Sequence, residues 1–302
     1  MKNLFPIRMI SLLFISLLLI NCSDDDPAEP IENDPTTFEI IADSDNHTTL
    51  EQLLTDTELD QVLNDGNFTV FAPTDAAFEQ VDLSGLSDDE LTNVLLNHVV
   101  NGTATSSDLS NAYLSTEATE SFTGDDNKLS LLVNVDNGVT LNGSASVTAA
   151  DLTANNGVVH ITDAVILPPD LTTFATNDPQ LSTLLSALTR DDQVDQNYVD
   201  TLTTPADTNP APFTVFAPTN DAFAGALNEL NADSLADIGG PRLTSTLNFH
   251  IVPGANTTAS DLVTGPVTTL EGDVTVDADN ATITDANGRV STITTTDVQT
   301  TN

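Results

Sequence analysis

The sequence predicts a mixed helix-and-sheet protein built from one unit used twice, and three observations carry that reading. Phe68-Thr-Val-Phe-Ala-Pro-Thr-Asp-Ala-Ala-Phe78 returns as Phe213-Thr-Val-Phe-Ala-Pro-Thr-Asn-Asp-Ala-Phe223. Around the first copy, apolar residues at helical spacing come before the stretch, and β-rich runs joined by Asn-Gly come after it. The chain has 302 residues, 39% of them hydrophobic, enough for two cores of ordinary size.

Near the start of the chain Lys2 and Arg8 precede an uncharged run from Met9 to Ile20 that is too short to cross a bilayer as a helix. A basic start, a short apolar stretch and a break at Asn21-Cys22 predict a secretory leader over residues 1–21. Leu19-Ile20-Asn21-Cys22 resembles the lipobox of bacterial lipoproteins, with Asn21 where a small residue is usual. Cys22 is the only cysteine, so disulfide chemistry is unavailable and lipid attachment at Cys22 gives the thiol a purpose. An ordinary leader with an incidental cysteine is the alternative. Residues 22–36, beginning Cys22-Ser-Asp-Asp-Asp26, are acidic, contain proline and predict a disordered tether. The acidic run is either an export signal to the outer face of the outer membrane or a solvated linker.

From Phe38 to Leu63, apolar residues at helix-compatible spacing predict short amphipathic helices leading into the Phe68 strand. Pro73 and Pro218 stop the two strands, and Thr74 and Thr219 stand where a helix N-cap belongs. Asp75 in one copy, Asn220 and Asp221 in the other, place polar or acidic groups at the positive end of the new helix. Leu91, Val94, Leu95, His98 and Val99 then fall on one helical face that Gly102 ends. Beyond it the Leu129, Val139 and Val158 runs are strand-like, and Pro168-Pro169 closes the unit. The boundaries expected are 37–169 and 170–302.

The period is about 146 residues. Phe213 lies 145 after Phe68, His250 lies 152 after His98, and Asp297 lies 146 after Asp151. Unequal offsets mark loop insertions, the longest being the polar stretch from Asp195 to Pro212.

Charge restricts the partners. Against 46 acidic residues stand 6 basic ones, and the net charge is −40. Such a field repels phosphate backbones and anionic membranes, so no nucleic-acid partner is expected and membrane contact is expected only through the lipid. The surplus is spread along the chain, which fits a protein kept soluble in a saline medium better than one localised cation site.

Laid side by side, each unit resembles the fasciclin (FAS1) domain. The resemblance rests on the two Phe-Thr-Val-Phe-Ala-Pro-Thr stretches, on Asn97-His-Val-Val-Asn-Gly and Phe249-His-Ile-Val-Pro-Gly, and on Asn156-Gly-Val-Val-His-Ile-Thr-Asp-Ala-Val-Ile-Leu-Pro168. It implies an α+β fold, a β-wedge of about seven strands with helices packed on it, in a family of mostly extracellular adhesion or matrix-binding proteins. Adhesive animal members often carry a Tyr-His pair where this chain has Asn97-His98 and Phe249-His250, so their receptor recognition is not carried over. Asp151-Leu-Thr-Ala-Asn-Asn156 aligns with Asp297-Val-Gln-Thr-Thr-Asn302, so the second domain is expected to lack its closing strand. Either the sequence is cut short or a partner donates that strand by β-augmentation.

Chemistry is sparse. Of four histidines, His98 and His250 fall at matching places on the predicted helix face and His160 falls in the closing strand, so all three are read as buried groups that tie down backbone. There is no Gly-x-Ser-x-Gly elbow. Asp277-Ala-Asp279-Asn-Ala281 and Asp285-Ala-Asn287-Gly288 fail the calcium-loop pattern and are read as hairpin turns. No enzyme, cofactor or metal is expected. The expected function is adhesion, or binding of an extracellular protein or polysaccharide, by a lipid-anchored protein exposed on a bacterial outer membrane. The alternative is an envelope lipoprotein acting as a spacer without an external ligand. Thr74, Thr219, His98, His160 and His250 are expected to be structural signature residues, and Cys22 the lipid site.

Overall fold

Seven strands of the first domain close into a barrel, with short helices capping one face of the strand that carries the first copy of the motif. The structure is a computed structural model that describes residues 34–120, 127–193 and 196–302, and Asp34–Asn302 forms one compact unit. The predicted leader, Cys22 and most of the tether lie outside the described residues.

Helices α1 (Thr37–Ala42), α2 (Thr48–Asp56) and α3 (Leu59–Asp65) form where apolar residues recur every three or four positions. Each turns a narrow apolar stripe inward: Ile41, Leu50 with Leu54, and Leu59 with Leu63. Thr36 and Glu39 cap α1 reciprocally, the Thr36 N–H donating to the Glu39 carboxylate at 2.8 Å. Strand β1 (Phe68–Pro73) follows, helix α4 (Asp75–Phe78) starts behind Thr74, and α5 (Asp88–Leu96) comes next.

The helix predicted through Val99 ends earlier. Asn97 caps α5, His98 sits in the turn beyond, and Val99 opens β2 (Val99–Asn101), which pairs antiparallel with β1. Val99 and Val100 are β-branched and the β1 edge offers them ladder partners, so pairing overrides the helical period. Gly102, at φ 83°, turns the chain after β2 rather than ending a helix.

Strands β3 (Ala112–Thr119), β4 (Lys128–Asn134), β5 (Thr140–Leu141), β6 (Ala145–Ala154) and β7 (Gly157–Thr162) complete the ring. Strand β7 closes it, running antiparallel to β6 and parallel to β1 from Phe68↔Gly157 to Pro73↔Thr162. All six residues of β1 are therefore buried. Neighbouring residues of β1 feed different clusters, as a period of two requires. Phe68, Val70 and Ala72 pack with the helices, whereas Phe71 packs with Val100, Leu109, Leu131 and Ile166 on the other face.

The second domain repeats the order with α6 (Leu171–Asn177), α7 (Ser182–Leu188), α8 (Tyr198–Leu202), β8 (Phe213–Val215), α9 (Asn220–Leu230), α10 (Gly240–Asn248) and β9 (Ile251–Pro253). Strands β10 (Gly265–Thr268), β11 (Asp273–Asp277), β12 (Thr282–Thr284) and β13 (Val290–Thr292) end it. The stretch from Asp195 to Pro212 is only partly a loop insertion, because α8 lies within it and buries Tyr198 and Leu202 in the second core. Here the strands form two separate sheets, β8-β9 and β10-β11-β12-β13. Among the described residues no strand lies against the edge of β8 that corresponds to the β7-bearing edge of β1, nor beyond β13.

The domains meet through specific bonds. Tyr113 on β3 donates its hydroxyl to Asp178 at 2.6 Å and sets its ring edge-on to Phe174 of α6, centroids 5.0 Å apart. Ser130 on β4 and Gln299 bond reciprocally, the Ser130 N–H to the Gln299 carbonyl at 3.0 Å and the Gln299 N–H to the Ser130 Oγ at 2.9 Å.

Candidate functional site

The duplicated motif is fully engaged by its own domain. Thr74 and Thr219 are N-caps, each accepting at 3.3 Å from the N–H three residues on, of Ala77 and Ala222. Thr69 and Thr214, which the sequence did not single out, clamp the next loop. Each hydroxyl donates at 2.8 Å, to Gly102 and Ala255, and accepts at 2.8 Å from Ala104 and Thr257. Their signal was a hydroxyl at an otherwise apolar strand position, repeated in both copies. Phe71 and Phe216 each give their N–H to a carbonyl at 2.9 Å, of His98 and His250.

The histidines bind backbone. His98 is buried beyond the end of α5, and the Ile166 N–H donates to its Nε2 at 2.8 Å, so Nδ1 carries the proton that reaches the Val94 carbonyl at 2.8 Å. Burial disfavours the imidazolium and pushes the pKa of His98 down to about 4, against the pull of that carbonyl. His160 is fully buried on β7, its Nδ1 accepting from the Asp151 N–H at 3.2 Å and its Nε2 lying 3.0 Å from the Ala104 carbonyl. It stacks on Phe71 with centroids 5.4 Å apart. His250 reaches the Thr246 carbonyl at 2.8 Å as His98 reaches Val94, but unlike His98 and His160 it is only partly buried, a departure from the expected burial, and desolvation still lowers its pKa. His47 lies buried beside Ser44, and desolvation holds it below its ordinary value although Asp75 pulls the other way. His98 and His250 are thus helix-end residues rather than members of a helix face.

One constellation has the composition of a nucleophilic triad. Ser106 donates its hydroxyl to Asp151 at 2.5 Å, and the Asp151 carboxylate stands 4.0 Å from His160. The connectivity is wrong for catalysis, since Ser106 bonds the acid rather than the imidazole and both imidazole nitrogens face backbone. In the second copy Ala259 holds the serine position, its N–H alone donating to Asp297 at 2.7 Å. Among the described residues no three His, Cys, Asp or Glu side chains converge as metal ligands. Asp277 and Asp285 sit in the hairpin turns flanking β12, where each accepts from backbone N–H groups of its own turn.

In the second domain β8 pairs only with β9 among the described residues. Asn156 in the first domain accepts from Thr37 at 2.8 Å and donates to the carbonyls of Leu63 and Gly66 at 2.6 and 2.9 Å. Asn302 repeats this, accepting from Leu171 at 3.0 Å and donating to the Leu202 and Thr204 carbonyls. Asn302 therefore ties the start of α6 to the end of α8 as Asn156 ties the start of α1 to the end of α3. Past it, a cavity of about 210 Å³ is lined by Thr214, Phe216, Val252, Thr257, Leu262 and Val267 among others. Phe71, Val100 and Leu109, the counterparts of Phe216, Val252 and Leu262, are closed over by Ile166.

The Fasciclin domain family model matches residues 45–168 and again 179–302. The chain is 32% identical over 142 residues to protein sll1483 of Synechocystis, covering 44% of this chain and 74% of that one. It is 27% identical over 240 residues to human periostin, covering 74% of this chain but 26% of periostin. It is 38% identical over 109 residues to cell surface glycolipoprotein MPB83 of Mycobacterium bovis, covering 34% of this chain and 43% of that one. The chain thus spans about a quarter of periostin and less than half of MPB83. A solved FAS1 domain pair from the insect cell adhesion molecule Fasciclin I aligns with a TM-score of 0.47 and 16% identity over 84% of this chain and 92% of its own. With two matches of the family model covering most of its length, the chain belongs to the fasciclin domain family.

Proposed function

We propose that the protein is a non-enzymatic cell-surface lipoprotein, anchored through Cys22, whose two fasciclin domains bind an extracellular protein or polysaccharide and so mediate adhesion. The observation that carries the reading is the 38% identity to a protein named a cell surface glycolipoprotein. The leader-and-cysteine pattern at Cys22 supports the anchor. No helix among the described residues is long and apolar enough to cross a membrane. The side chains with reactive potential are engaged with backbone, as His98 and His160 show, which supports a binding role over a catalytic one.

Protease shaving of intact cells should release the domains, and a deletion strain should lose surface attachment that re-expression restores. Replacing Cys22 with Ser should send the protein to the soluble fraction. Unchanged attachment in the deletion strain, with no ligand on glycan or matrix-protein arrays, would favour the spacer role.

A further inference from the structure

The two domains fill one place differently. The side chain of Asn156 bonds the Leu63 carbonyl and that of Asn302 the Leu202 carbonyl, so Leu202 on α8 stands for Leu63 on α3 and Tyr198, one turn earlier, stands for Leu59. His98 and His250 align α5 with α10 in the same way, so Asn248 stands for Leu96. In the second domain the Tyr198 ring fills the space between α8 and α10. It is 1% exposed and packs in the core that holds Leu202 and Ile251, and its hydroxyl donates to Asn248 Oδ1 at 2.8 Å with the Thr244 carbonyl 3.0 Å away. In the first domain Leu59 has no ring to offer, and a cavity of about 120 Å³ is found there, lined by Leu59, Val62, Leu63, Leu96 and Val99 and by the paired Glu117 and Lys128. Val62 is 44% exposed, so the cavity has a mouth on the surface. We propose that this cavity is an anchor pocket for a protein partner, taking one phenylalanine-type ring that the partner presents between basic residues. The inference rests on the binding reading above and narrows its ligand to a protein.

Three observations select that occupant. The second domain shows what the place accepts, since the chain's own aromatic ring sits there against a leucine and a β-branched residue, as Leu63 and Val99 would meet it in the first. The walls are apolar, and Leu96 replaces the Asn248 that receives the Tyr198 hydroxyl, so a phenyl ring, which needs no acceptor, suits the pocket better than a phenol or the hydroxyls of a sugar. The surroundings are acidic. Helix α3 and its cap carry Glu58, Asp60 and Asp65 and no basic residue, and Lys128, the one cation lining the pocket, is neutralised by Glu117 at 3.0 Å. Basic flanks on the partner meet that field, while the ring, drawn out of water, supplies the affinity as aromatic anchors in closed pockets do.

The test uses the protein carrying Cys22→Ser and a labelled synthetic peptide, Lys-Lys-Phe-Lys-Lys. Saturable binding is expected with Kd on the order of 100 μM. Hydrogen exchange should slow in 54–63 and 92–99 and stay unchanged in 198–202. Alanine for the phenylalanine should weaken binding by about tenfold or more, which separates the ring from the attraction of charge alone. Leu59→Phe puts a ring where Tyr198 has one and should abolish uptake. Because Leu59 is a core residue, Val62→Arg at the exposed mouth is the second variant, and it should weaken binding by about tenfold. No saturation, equal binding of the alanine peptide, protection elsewhere, or undiminished uptake by Val62→Arg would overturn the assignment. A protein that binds a glycan array and ignores the peptide would overturn the pocket and leave the binding reading standing, whereas one that binds neither would remove both.

Discussion

Phe71 and Phe216 hold the same place in two copies of one motif and make the same 2.9 Å bond to a histidine carbonyl, yet Phe71 is fully buried and Phe216 lines an open cavity. The local parts of the motif form in both domains: the strand start, the threonine clamp and the helix cap. What differs is non-local. With β7 beside it the first copy is a six-residue strand, and the second, paired among the described residues only with β9, is three residues long. The same holds at the other edge, where β6 runs ten residues against β7 and β13 only three. A strand's length is thus set by its partner as much as by its own residues.

The largest effect should come from making the first domain resemble the second. Gly157→Val places a side chain against the Phe68 carbonyl at a φ of 151°, so β7 must leave β1 or β1 must shift. The expected cost is about 3 kcal/mol or more to the first domain. Denaturant titration followed by hydrogen exchange should show 68–73 and 145–154 losing protection together. Retained protection in both segments would mean that β7 is not what sets their length.

The histidine pair sharpens the comparison next. His98→Ala takes the buried partner from the Ile166 N–H and the Val94 carbonyl, at an expected cost of about 3 kcal/mol. His250→Ala removes one such tie, to Thr246, and should cost about 1 kcal/mol. Acid reports the same difference. Unfolded, His98 titrates near 6.5, and folded near 4, so between those values only the unfolded chain takes up the proton. The stability is present above about pH 6.5 and lost as pH falls towards 4, by up to about 3 kcal/mol. In His98→Gln that slope should flatten. An unchanged slope would assign the acid sensitivity to other groups.

The sequence disclosed the tandem α+β order and the caps at Thr74 and Thr219, because each is written in local chemistry or in the repeat. It misplaced His98 and Val99, because Leu91 to Val99 keeps a helical period through a point where the β1 edge captures the chain. It also hid the work of Thr69 and Thr214, whose partners lie 33 and 41 residues away. Tyr113 was equally silent, since its partner Asp178 belongs to the other domain. A single sequence shows which groups want partners and seldom which partners they find.

Tyr113→Phe tests how far the two domains feel one another. It deletes the hydroxyl bond to Asp178 but keeps the edge-on contact with Phe174, and should cost about 1 kcal/mol. Its readout is the separation between the unfolding transitions of the two domains, which should widen in calorimetry. An unchanged separation would place the coupling in the Ser130–Gln299 pair instead.

The smallest effects should be equal in the two copies, and the equality is what matters. Thr74→Ala and Thr219→Ala each remove one cap bond of 3.3 Å, although α4 has four residues and follows a strand of the closed barrel and α9 has eleven and follows a strand paired, among the described residues, only with β9. If capping is local, each should cost its own domain about 1 kcal/mol in denaturant titrations. A loss at Thr74 several times that at Thr219 would mean that closure by β7 rigidifies the turn and amplifies the cap. The motif would then depend on the strand that completes the barrel.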